Sequence, residues 1–199
     1  MNNPLDSGFY TETDLLGFGF KSVGTNVRVA KNTTIVGPGN ISFGSNVRVD
    51  AYCTILAAGN GKLDIGSYVH IGGHCHLSAG DGIVMGDFSC FSQGVRVYSR
   101  SDDYSGDYMT NSTVPEKFTN CLRGCVTLGR HVVVGSGTVV LPGVTMGDGA
   151  SVGALSLVKE SLPAWGVYCG IPTKRLRDRS RRLLELESKL MKEFPGKSG

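Results

Sequence analysis

Residues 41–56, ISFGSNVRVDAYCTIL, and residues 63–78, LDIGSYVHIGGHCHLS, carry one pattern twice. An aliphatic or aromatic residue returns every six positions, at Phe43, Val49 and Ile55 and again at Ile65, Ile71 and Leu77. The beat extends backward to Val23, Val29 and Ile35 and forward to Met85, Phe91 and Val97. After an interruption it resumes at Leu128, Val134, Val140, Met146, Val152 and Val158. Four residues after each sits a small or β-branched one, such as Val27, Val47, Cys53, Cys75 or Thr138. A period of six matches neither the 3.6 of a helix nor the 2 of a long strand. Short strands separated by tight corners satisfy it, with the large and the small residue of each unit pointing inward and glycine supplying the corner conformations. Three units close one triangular coil, and six coils stacked at the inter-strand spacing make a prism about 29 Å tall. The residues in excess of eighteen fall at one corner, in GPGN, AAGNGK and AGDG.

Composition narrows the class further. Of 199 residues 29 are glycine, about twice ordinary usage, without the every-third spacing of collagen. Hydrophobic residues at 40% and charged ones at 19% exclude a disordered chain. A formal charge of +3, with Lys and Arg crowded into the last stretch, argues against a nucleic-acid partner. The polar N-terminus and the lack of any long apolar run argue against membrane insertion, so a soluble cytoplasmic protein is expected. The six cysteines form no CxxC pair, which points to reduced thiols rather than a zinc site or disulfides. Cys53 and Cys75 fall at the small inward position and have a packing role.

The chain divides into an N-terminal cap (1–22), a β-helix (23–163) and a C-terminal segment with a helix (164–199). The β-helix is broken by a polar insertion, 98–125, rich in tyrosine and aspartate. A structureless loop of that length is usually functional or disordered. The run from about Thr173 to Phe194 places Leu176, Leu183, Leu190 and Phe194 near helical spacing, which predicts one amphipathic helix. TETD ahead of LLGFGF carries a helix-start signature that would cap the first coil.

This pattern resembles the hexapeptide-repeat acyltransferases, over about residues 22 to 175. The resemblance implies an all-β, left-handed parallel β-helix, although general crossover preferences favour the right hand. It also implies a homotrimer with acceptor and acyl-CoA sites between subunits, and acetyl-CoA as co-substrate without a metal. Sugar acetyltransferases of the family place a general-base histidine at the start of the inserted loop. Aligning MGDFSC, FSQGVR and VYSRSD puts Asp102 there instead. That departure suits an amine acceptor better than a hydroxyl, because a deprotonated amine needs less base assistance. The stretch SRSDDYSGDYMTN, with VGALSLV and WGVYCGIPTK, is similar to a subgroup associated with O-antigen and lipopolysaccharide biosynthesis. That subgroup includes N-acetyltransferases of nucleotide-linked 4-amino-4,6-dideoxysugars such as dTDP-4-amino-4,6-dideoxyglucose.

Asp102, at the position the resemblance marks, its neighbour Asp103, and His76, which the hexad frame places beside the loop's exit with Arg96 stacked one coil above, are the groups expected to bind the acceptor and remove its proton, with Arg96, Tyr104 and Tyr108 around the nucleotide sugar. Ser136, Ala154 and Lys159 match positions that meet the pantetheine arm. Lys174 and Arg177 match basic positions near the nucleotide end of CoA, whose phosphates pair with such side chains. His70, His74 and His131 are weaker candidates. Three readings compete with nucleotide-sugar N-acetylation: sugar O-acetylation, a γ-class carbonic anhydrase with a three-histidine zinc, and a non-catalytic solenoid. His70 and His76 lie on different faces and His74 at a corner, so one chain does not converge them on a metal.

Overall fold

The computed structural model describes residues 6–194. Its strands follow the six-residue beat as a left-handed parallel β-helix with three flat faces. The first face stacks Ser22–Val23, Ile41–Phe43, Leu63–Ile65, Ile83–Met85, Val126–Leu128 and Thr145–Met146. The second stacks Arg28–Val29, Arg48–Val49, His70–Ile71, Cys90–Phe91, Val133–Val134 and Ser151–Val152. The third runs from Thr34–Val36 through Thr54–Leu56, His76–Ser78, Arg96–Tyr98 and Val139–Val140 to Leu157–Val158. Six complete coils result among the described residues. The second face then continues with Gly166–Cys169, parallel to Ser151–Val152, which begins a seventh.

Register explains why the beat is so regular. Ile35 pairs with Ile55, Ile55 with Leu77, Leu77 with Val97, Val97 with Val140 and Val140 with Val158, so like residues stack down the interior. Ile55, Leu77, Val97, Val140 and Val158 have no exposed surface. Each such side chain contributes about 1.5–3 kcal/mol on burial. Cys53 and Cys75 are buried in the same interior, their thiols donating to the carbonyls of Gly72 and Ser92 at 3.2 Å.

Glycine fills part of the corners, as the sequence predicts: Gly37, Gly94, Gly137 and Gly149 hold φ between 65° and 74°. Other left-handed corners carry side chains: Asn26, Asn46, Tyr68, Phe88 and His131 hold φ between 55° and 59° down one corner. Their side chains form a ladder that offsets the backbone cost. Asn26 donates to Asn46 at 2.8 Å, Tyr68 stacks on Phe88 at 4.8 Å, and Phe88 stacks on His131 at 4.9 Å. The glycine that follows each large inward residue is required by the next coil instead. A Cβ on Gly86 would lie 2.6 Å from the carbonyl carbon of Gly129, and one on Gly44 would lie 2.7 Å from that of Gly66.

At the N-terminal end, helix α1 (Glu12–Gly17) is capped by Thr11, whose side chain and that of Asp14 satisfy each other's backbone N–H. It buries Leu15 against the open first coil. At the other end the expected single helix from Thr173 is corrected. Lys174–Asp178 is an antiparallel strand on Gly166–Cys169, and the helix, α2, spans only Leu183–Glu193. The turn at Gly170, with φ 105°, reverses the chain, so its alternating charged residues extend the sheet edge rather than start a helix. No helix among the described residues is long and apolar enough to cross a membrane.

Candidate active site

The insertion departs from the third corner of the fourth coil and is not structureless. Its two ends pair as an antiparallel ribbon, Arg100 opposite Arg123 and Ser101 opposite Leu122. Arg100 fastens the ribbon to the third coil, donating to the Gly80 carbonyl at 2.9 Å and to both carboxylate oxygens of Asp81. Glu116 opens a short 3-10 turn, Glu116–Phe118, and pairs with Arg123. Beyond this base the loop projects outward, with Tyr104 89% exposed and Tyr108 and Met109 about half exposed.

The two candidate carboxylates have different surroundings. Asp103 accepts from the backbone N–H of Ser105 at 2.9 Å and from its hydroxyl at 2.7 Å. Those bonds, the backbone one first, hold its carboxyl below the usual carboxylate range. It is occupied in shaping the loop. Asp102 lies just past the ribbon, and among the described residues its Oδ1 receives only the thiol of Cys121 at 3.8 Å. A thiol is a weak donor, so this carboxylate keeps most of its accepting capacity.

Beside the ribbon, on the third face, His76 pairs in register with Arg96, and Ser78 with Tyr98. The His76 ring lies 5.5 Å from the Tyr98 ring. Burial, and then the charge of Arg96, push the His76 imidazole below its ordinary value, which favours the neutral form. His76, Arg96 and Tyr98 are thus neighbours on the third face, which the chain leaves after Tyr98 toward the ribbon and Asp102.

The other histidines stand apart. His70 bonds Asp50 at 2.8 Å on the second face, and His74 stacks on Tyr52 at a corner. His131 is nearly buried, with Nε2 2.7 Å from Glu187 of α2. No group of three metal-ligating side chains occurs among the described residues.

Candidates for the donor lie further along the stack. Ser136 and Ala154 occupy the second corner of the fifth and sixth coils, and the Ser136 hydroxyl donates to Gln93 at 3.4 Å. Lys159 follows the last strand of the third face and, with Arg175, lines a cavity of about 210 Å³ under the terminal hairpin. Lys174 opens the hairpin's second strand, and Arg177 pairs with Val167 on the second face, away from that cavity. Arg175 was not singled out by sequence matching. Only the hairpin, read as alternating strand, would have paired it across from Tyr168 at the cavity wall.

The chain is 43% identical, over 180 residues, to the dTDP-4-amino-4,6-dideoxy-D-glucose acyltransferase of Escherichia coli, covering 90% of this chain and 93% of that one. It is 32% identical over 118 residues to WcaF, the putative colanic acid biosynthesis acetyltransferase of Escherichia coli K12, covering 59% of each. Among solved structures it is similar to AntD, an N-acyltransferase from Bacillus cereus, in complex with dTDP and 3-hydroxybutyryl-CoA. That likeness has a TM-score of 0.90 at 40% identity and covers 95% of this chain and 98% of AntD. A variant of AntD bound to dTDP-4-amino-4,6-dideoxyglucose and coenzyme A matches with a TM-score of 0.91 at 39% identity, over 96% and 100% of the two chains. No family model matches.

Proposed function

We propose, because the chain belongs to the hexapeptide-repeat acyltransferases, that it transfers the acetyl group of acetyl-CoA to the amine of a nucleotide-linked aminodeoxysugar, dTDP-4-amino-4,6-dideoxyglucose, for surface polysaccharide synthesis. The observation that carries this is the end-to-end likeness to an N-acyltransferase whose complexes hold that sugar nucleotide and coenzyme A. The likeness covers 95–96% of this chain, more than the solenoid coils alone make up.

The step is direct. The amine nitrogen attacks the thioester carbonyl; a C–N bond forms, the C–S bond breaks, and the nitrogen's proton passes to Asp102 and then to the departing CoA thiolate. Asp102 suits this role because its carboxylate has so weak a partner, whereas Asp103 is held by Ser105. His76, kept neutral, offers a ring nitrogen to the acceptor, and Arg96 beside it pairs with a phosphate. Tyr104 and Tyr108, exposed on the insertion, reach the sugar nucleotide at a homotrimer interface. Along the stack Ser136 and Ala154 flank the pantetheine arm, and Lys159 meets its phosphorylated end from the cavity under the hairpin, with Lys174 and Arg177 approaching from the hairpin's second strand. The enzyme works in the cytoplasm, where both substrates are made.

The test is CoA release from acetyl-CoA with purified protein, offered dTDP-4-amino-4,6-dideoxyglucose and, separately, hydroxyl sugars and simple glycosides. Turnover on the aminosugar nucleotide with an amide product supports the proposal. Turnover confined to hydroxyl acceptors would replace it with O-acetylation. Light scattering of the same sample checks the trimer.

A further inference from the structure

We propose that Cys121 is a positioning residue for acyl transfer, acting through Asp102; this rests on Asp102 as proton acceptor in the reading above. The ribbon pairs Ser101 with Leu122, and one step further along an antiparallel ladder Asp102 faces Cys121. The two side chains meet there, Sγ to Oδ1 at 3.8 Å, and both residues are half-buried.

The contact closes the loop. It joins positions 19 apart in sequence at the point where the ribbon opens into the projecting segment. No stronger donor reaches the Asp102 side chain among the hydrogen bonds and ion pairs of the described residues. Its charged surroundings are engaged elsewhere: Arg100 with Asp81 and Gly80, Arg123 with Glu116, and Asp103 with Ser105. Cys121 is therefore what sets the carboxylate's rotamer. A thiol is a weak donor, so it aims one carboxylate oxygen and leaves the other accepting positions of Asp102 open to the acceptor.

The experiment uses the full-length protein with Cys121→Ala, Cys121→Ser and Asp102→Asn. In Cys121→Ala, kcat should fall about ten-fold or more with KM for acetyl-CoA unchanged, since an ångström of misplacement near the chemistry costs on the order of 10²-fold. Cys121→Ser restores the donor and should recover most of the loss. A readout without turnover is the rate at which iodoacetamide alkylates Cys121, followed by mass spectrometry of its peptide. Asp102→Asn replaces the carboxylate that the thiol meets and should change that rate several-fold, because the two side chains are in contact.

Unchanged kcat in Cys121→Ala, with Asp102→Asn inactive, overturns the inference and leaves the base assignment standing. Full activity in Asp102→Asn overturns both. An alkylation rate indifferent to Asp102→Asn refutes the contact itself, whatever the substrate.

Discussion

His131 Nε2 lies 2.7 Å from Glu187 Oε2, joining a corner of the fifth coil to the C-terminal helix across 56 residues of sequence. Glu187 also pairs with Arg130, and Arg181 packs 5.2 Å over the Trp165 ring. No residue of α2 is fully buried; Leu183, Glu187, Leu190 and Met191 are half-buried, and Glu187 ties the helix to the solenoid.

Glu187→Ala should therefore release α2 while sparing the coils. The His131–Glu187 contact is largely shielded from solvent, and a hydrogen bond to a charged group there contributes about 1.5–3 kcal/mol. Hydrogen exchange should quicken at Leu183–Glu193 and stay unchanged at Val126–Leu128. Equal protection of α2 in variant and parent would contradict this account.

Gly86 and Gly94 separate two reasons for glycine. An added Cβ at Gly86 meets the backbone of Gly129 at 2.6 Å, so Gly86→Ala must push coils apart, at about 1–3 kcal/mol or more. At Gly94 the nearest atom would be 3.8 Å away, and only the left-handed backbone, φ 70°, is penalised, by about 1–2 kcal/mol. Chemical denaturation of the two variants should rank Gly86→Ala as the less stable. The reverse order would remove crowding as the reason for the repeated glycine.

His76 is held below an imidazole's ordinary value of about 6.5, first by burial and then by Arg96. A depressed histidine binds its proton more readily in the unfolded chain, so its contribution to stability is present above about pH 6.5 and is lost as pH falls toward the folded value. Arg96→Gln removes the repulsive charge and should move the His76 titration, followed by NMR, to higher pH. A titration identical to the parent's would mean that Arg96 does not act on it.

Asp102→Asn should lower kcat about 10²–10⁴-fold, the usual worth of general-base help, with affinity for CoA unchanged. His76→Ala should lower kcat as well. Asp103→Asn weakens the bonds to Ser105, and its loss should appear chiefly in KM for the sugar nucleotide, through a looser insertion. Steady-state kinetics in both substrates decides this; normal kinetics in Asp102→Asn and His76→Ala together would vacate the proposed site.

Cys90→Ala should keep full activity. Burial pushes the Cys90 thiol up, against a smaller opposing effect of Arg179, so little thiolate exists at neutral pH. Lost turnover in folded Cys90→Ala protein would argue for an acyl-enzyme instead of direct transfer.

How far the fold was legible follows from the range of the contacts involved. Phe43, Val49 and Ile55 announce three walls because each inward side chain needs only its equivalent one coil away, and the period records that need directly. The spacing after each large residue marks Gly44 and Gly86 as special, yet it does not say whether a corner or a neighbour demands them. The backbone answers with both: Gly94 and Gly149 share the left-handed corners with Phe88 and His131, while Gly44 and Gly86 sit where coils touch.

The site was legible in part for the same reason. His76 and Arg96 stack because the beat brings them into register, and that could be counted along the chain. Asp102 and Asp103 are neighbours of one residue type, and nothing local told them apart. Sequence by itself determined the winding, the place where it breaks and the family chemistry that winding carries, since all three are written in short-range repetition. Tertiary structure alone decided which aspartate is spent on Ser105 and which faces Cys121, that Lys174–Asp178 closes a hairpin instead of a helix, and that Glu187 reaches His131. Each of those depends on a partner brought near by the folded path, and no periodicity encodes a contact that occurs once.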